Sequence, residues 1–131
     1  MDEQPVALGL MVCEKVIVEE RTHNVSLINC FISMKVETLP SEPRRFDVFA
    51  ALTNGFGDVN LEVVIERLDT WEPVYRRVQS VRFVDRLQEV RFILRISNVS
   101  FPVAGAYQVT LSADGDLLAQ HEMRIITEET E

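Results

Sequence analysis

GAYQVTLSADGDLLAQHEMRII, residues 105–126, decides the fold. Tyr107, Val109, Leu111 and Ala113 alternate with Gln108, Thr110 and Ser112, the period of two that sets apolar side chains on one face of a strand. Asp114-Gly115 follows, a dipeptide suited to the positive φ angles of a type I′ turn. The alternation then resumes, with Leu117, Ala119, Met123 and Ile125 on one side and Gln120, Glu122 and Arg124 on the other. This predicts a β-hairpin with one buried and one wet face, so a second layer must cover the buried one.

Working outward, the same punctuation recurs. Ala7 to Glu19 and Val25 to Val36 read as a long hairpin around the polar stretch Glu20 to Asn24. Pro40 and Pro43 mark a crossover between Leu39 and Arg45. Phe46 to Thr53 is a further strand, closed by the turn Asn54-Gly55-Phe56-Gly57-Asp58. Leu61, Val63 and Ile65 then alternate with Glu62, Val64 and Glu66 on the next. Val74 to Phe83 and Val90 to Val99 are expected to pair around a turn near Asp85 and Arg86. About eight strands with turn signals every ~8–12 residues predict an all-β, antiparallel β-sandwich over residues 1–131, with a polar, frayed tail at 127–131. No window carries a sustained helical period.

The totals agree with a single domain. At 131 residues the chain buries roughly two-thirds of its unfolded surface, enough for a core without staples. Cys13 and Cys30 are too few for a disulfide framework and sit in apolar runs, so both read as free buried thiols. The two are placed on adjacent strands, and the sequence leaves open whether they face each other. The start Met1-Asp2-Glu3-Gln4 is acidic where a signal peptide is basic, and Val6 to Cys13 is too short to span a bilayer. The sequons at Asn24 and Asn98 then read as chance matches, and the expected location is cytoplasmic, with no membrane partner.

The strand and turn pattern also carries a resemblance. LGLMVCEKVIVEE, NVSLINCF, FDVFAALTNGFGDVNLEVVIERL and FPVAGAYQVTLSADGDLLAQHEMRI together resemble a family of short, stand-alone bacterial proteins of unknown function built as one sandwich. The Phe101-x-x-x-Gly105-x-Tyr107 start of a strand is similar to immunoglobulin-like domains. The resemblance implies fold and carries over no functional residue.

Chemistry is sparse. His23 and His121 stand far from any second metal ligand, and His121 has the parity of inward residues at a sheet margin. Asp114 and Asp116 bracket Gly115 as turn residues rather than calcium ligands. There is no Gly-x-Ser-x-Gly elbow, no P-loop and no Gly-x-Gly-x-x-Gly. The expectation is a protein without cofactor or metal and without enzymatic activity. Trp71 and Tyr75 admit two readings, a plug at one end of the core or an aromatic platform for a sugar or other small ligand.

Net charge of −8 argues against nucleic-acid binding. Residues 76–95, however, hold six arginines against Asp85 and Glu89. Arg76, Arg82, Arg91 and Arg95 fall on two strands expected to pair, where like charges repel. Either Glu62, Glu66 and Glu89 neutralise them in a ladder, or they meet an acidic partner, including a second copy of this chain, or they hold an anionic small ligand. The run Val6 to Val12 carries no charge, and at a sheet edge this segment, or the last strand, would be open to strand pairing in a homodimer. The function expected is therefore a non-catalytic interaction or assembly module, with ligand binding as the first alternative and an unrecognised enzyme as the second.

Overall fold

A computed structural model describes residues 4–128, so Glu129, Thr130 and Glu131 of the expected tail lie outside the described residues. The chain forms β1 (Val6–Val18), β2 (Val25–Cys30), β3 (Ser33–Lys35), β4 (Arg44–Thr53), β5 (Gly57–Arg67), β6 (Pro73–Phe83), β7 (Val90–Val99), β8 (Gly105–Ala113) and β9 (Asp116–Ile126). They make two packed sheets, of order β2-β1-β4-β7 and β3-β9-β8-β5-β6. This is the expected all-β sandwich, with three differences in detail.

The first concerns β2 and β3. Val25 to Val36 reads as one β-branched run, yet the chain leaves the first sheet after Cys30 and joins the second at Ser33, running parallel to β9. Asn29 already holds φ 51°, a left-handed conformation that breaks the strand path. The second sheet is thus mixed rather than wholly antiparallel. The second difference is that β6 and β7 do not pair. Residues 84–89 carry the chain from the edge of one sheet to the edge of the other.

The third lies in the β8–β9 hairpin itself. Asp114 (φ 47°) and Gly115 (φ 92°) make the expected turn. Asp114 Oδ1 accepts the Asn60 N–H at 3.0 Å, which ties that turn to β5. A register shift between Leu111 and Ser112 sets Leu117 opposite Ser112 and Ala119 opposite Leu111. The extra residue reverses the parity of Leu117, which ends 58% exposed instead of inward.

Val12, Phe46, Val48, Leu52, Phe92, Leu94 and Ile96 from one sheet meet Val59, Leu61, Val63, Ile65, Val109, Leu111 and Ile125 from the other in one continuous core. Tyr107, fully buried at the start of β8, donates its hydroxyl hydrogen to the Val103 carbonyl at 2.7 Å. Its ring meets Phe101 edge-on at 5.0 Å, and Phe101 stacks on Phe46. Gly55 lies so close to the Phe83 ring that an added Cβ would stand 2.8 Å from it, which accounts for glycine there. No helix among the described residues is long and apolar enough to cross a membrane.

Candidate functional site: the outer face of the four-stranded sheet

The four arginines do not share a face, because β6 edges one sheet and β7 the other. Arg76 on β6 reaches Glu62 on β5 at 2.7 Å, the ladder contact expected of that pair. Glu66 is set against Pro73 instead. Arg82 is exposed, in register with Asp58. Arg91 on β7 donates to the His23 carbonyl and lies 3.4 Å from Glu89. Arg95 pairs with an acid outside the expected set of Glu62, Glu66 and Glu89.

That partner is Asp47, only 5% exposed although it points away from the core. It stands between Phe46 and Val48, both fully buried, so alternation turns its carboxylate to the outer face. There Oδ2 accepts the Val16 N–H at 2.8 Å and the Arg95 Nη1–H at 2.7 Å, while Arg95 also donates to the Val16 carbonyl at 3.2 Å. Side chain, guanidinium and backbone close on one another. A carboxylate bonded to a cation and an N–H satisfies the charge that burial would otherwise penalise.

The clasp explains the path of β1. This strand pairs with β4 from Val6 to Cys13, then leaves it while staying paired with β2. Asp47 and Arg95 hold Val16, and Arg91 holds His23 at the turn. A cleft of about 570 Å³ separates Asn24, Val25 and Leu27 of the hairpin from Phe49, Ala51 and Arg91 beneath. The distal part of the β1–β2 hairpin is thus folded back over the outer face of β4 and β7. This geometry was not readable from local pattern.

At the root of the fold-back sit the two cysteines. Cys13 is the register partner of Cys30 on one side and of Asp47 on the other, and Asp47 is the partner of Arg95. A row Cys30–Cys13–Asp47–Arg95 therefore crosses all four strands. Cys13 is fully buried, Cys30 is exposed, and both are free thiols, so the expectation of two buried thiols holds for Cys13 alone. Burial pushes the Cys13 thiol up, and the neighbouring Cys30 and Asp47 add to the rise against backbone N–H groups of Lys15 and Ile28. Two shallow clefts of mixed charge flank the row. One, of about 560 Å³, is lined by Lys15, Arg45, Asp47 and Arg95, and the other, of about 550 Å³, by Asn29, Cys30, Phe31 and Arg44.

The remaining sites expected from sequence stay apart. Trp71 is 60% exposed at φ 61° in the β5–β6 turn, which removes it as a core plug. Tyr75 is half-buried against the core in register with Ile65. Neither lines the clefts at Lys35, Cys30, Asp47, Phe49 or Tyr107. His121 is half-buried in register with Val109, and His23 lies in the hairpin turn. Among the described residues no three His, Cys, Asp or Glu side chains converge as a metal site.

On the opposite side of the fold-back, β1 has a free edge. β2 covers β1 only from Cys13 onward, so the other edge of Val6 to Met11 pairs with no strand among the described residues. Leu8 sits at a register shift between Ala7 and Gly9 and is 62% exposed. Val6 and, on the nearby β9, Leu117 are also exposed.

The chain belongs to DUF6941, a family of unknown function whose pattern matches residues 8–126. Comparison with curated proteins gave no match.

Proposed function

Taking membership of that family as the starting point, we propose that this protein is a non-catalytic assembly module that self-associates through the free edge of β1. The observation that carries the reading is the uncharged run Val6 to Val12, whose stretch Val6 to Met11 is paired on one side only among the described residues and carries the exposed Leu8. Unpaired backbone N–H and C=O groups on such an edge recruit another strand. For a chain of net charge −8, a charge-free segment is also where two copies meet with least repulsion. The arginines are weaker contacts by comparison, since Arg76, Arg91 and Arg95 are engaged within the molecule.

Within this reading the protein is cytoplasmic and its sandwich immunoglobulin-like. The Tyr107 hydroxyl bonded back to Val103 supports the latter, as does an early strand that runs parallel to the last one. A second reading, capture of a sugar on an aromatic platform, draws on the exposed Trp71 alone.

Size-exclusion chromatography with light scattering at low and high salt tests the proposal. The expected result is a dimer indifferent to salt that becomes monomeric in Leu8→Glu. A monomer at all concentrations overturns it, and a dimer lost at high salt transfers the contact to the charged faces.

A further inference from the structure

We propose that Cys13 and Cys30 form a thiol–disulfide exchange site that takes a low-molecular-weight disulfide as substrate and closes into a cross-strand disulfide. This inference is independent of the edge contact on β1.

The geometry comes from the strand ladder. Cys13 and Cys30 are direct register partners, and the Phe31 N–H donates to the Val12 carbonyl at 3.1 Å. That bond joins the residues flanking the cysteine pair, which makes Cys13 and Cys30 a non-hydrogen-bonded pair of the antiparallel ladder. Such pairs hold their Cα atoms about 4.5 Å apart with side chains on one face, and disulfides span Cα separations of roughly 4.4–6.8 Å. The two backbones thus already stand at bridging distance.

The two thiols also differ in access as an exchange site requires. Cys30 is exposed and borders an open cleft with Asn29 and Phe31, so a small disulfide reaches it. Cys13 is fully buried between Cys30 and Asp47, out of reach of any reagent but facing its partner. Exchange proceeds in two balanced steps. The Cys30 sulfur attacks one sulfur of the small disulfide, whose S–S bond breaks. A Cys30 mixed disulfide forms and one small thiol leaves with the proton. The Cys13 sulfur then attacks the Cys30 sulfur, the mixed S–S bond breaks, and a second small thiol leaves with the Cys13 proton. Two protein thiols are oxidised and one small disulfide is reduced to two thiols. Burial raises the Cys13 thiol pKa, which lowers its thiolate fraction at neutral pH and slows the second step.

The bridge would fall at the root of the folded-back hairpin, beside the Asp47 clasp. Oxidation would therefore fasten residues 15–28 covalently where reduction leaves them held by the polar clasp and the buried Val16.

The test treats the folded full-length protein with oxidised glutathione, followed by intact mass and a non-reducing peptide map. The expected course is a transient single glutathione adduct at Cys30, then loss of both thiols and a mass lower by two hydrogen atoms, with the Cys13 and Cys30 peptides linked. Cys13→Ser should accumulate the adduct and go no further, and Cys30→Ser should not react. Slower amide exchange across residues 15–28 in the oxidised wild type is the matching conformational readout. A wild-type adduct that persists while Cys13 stays free overturns the proposal, as do chains cross-linked through Cys30. The wild-type peptide map decides the matter even where a Cys13 variant does not fold.

Discussion

The β8–β9 hairpin sets one face on the core along β8 from Tyr107 to Ala113 and again at Met123 and Ile125 of β9, whereas the β1–β2 hairpin does so only as far as Val12. The first is held by area. Tyr107, Val109, Leu111, Ala113, Met123 and Ile125 are all buried, so its stabilisation is spread over many side chains. The second contributes no fully buried β2 residue, and beyond Cys13 it is held by one fully buried apolar side chain, Val16, and by Asp47, Arg95 and Arg91 bonded to its backbone. Two elements of the same kind thus rest on different physics, one distributed over many apolar side chains, the other concentrated in Val16 and a few polar contacts.

Truncation of an apolar side chain should separate them most clearly. Leu111→Ala removes a fully buried side chain of β8 and should cost about 2–5 kcal/mol of global stability in urea unfolding. An equal loss from an outer-face substitution such as Ile28→Ala would dissolve the distinction. Asp47→Ala should cost less, about 1–3 kcal/mol, because it strands the Val16 N–H and releases the exposed Arg95. Its signature should be local, with amide exchange accelerated in residues 15–28 and little changed in β8 and β9.

The smallest effect is alkaline. Each hairpin has a group whose ionisation burial opposes, Cys13 in one and Tyr107 in the other, and both pKa values rise above their ordinary 9.0 and 10.0. A raised folded pKa gives stability that is whole below the unfolded value and lost as pH climbs through the folded one. Stability should therefore decline in two stages, the earlier one blunted by Cys13→Ser and the later one by Tyr107→Phe. A profile unchanged by either variant would remove titration as the cause.

The same contrast governs what was legible in the sequence. β7 matches its expected bounds of Val90 and Val99, and the Asp114-Gly115 turn is where it was expected, because periodicity and turn chemistry are local. The split of Val25 to Val36 between two sheets carried no glycine or proline to announce it. Its cause, the left-handed Asn29, is a tertiary outcome. Asp47 offered a trace, a lone acid inside FDVFAAL, but its link to Arg95 needs the β4–β7 register. The arginine cluster misled for the converse reason. Nearness in sequence is not nearness in space, since the crossing at residues 84–89 separates Arg76 from Arg91.

β9 lies between β3 and β8, with Arg124 in register with Ser33 on one side and Ala106 on the other. During synthesis the five-stranded layer therefore stays in two pieces until residues 116–126 emerge, and the interior can be sealed only by a late arrival. Joining segments so distant along the chain exacts its entropy before contacts compensate, which places this topology among the slower folders for its size. A nascent chain halted before Asp116 would present two unsatisfied strand borders at once, the state from which misassembly begins.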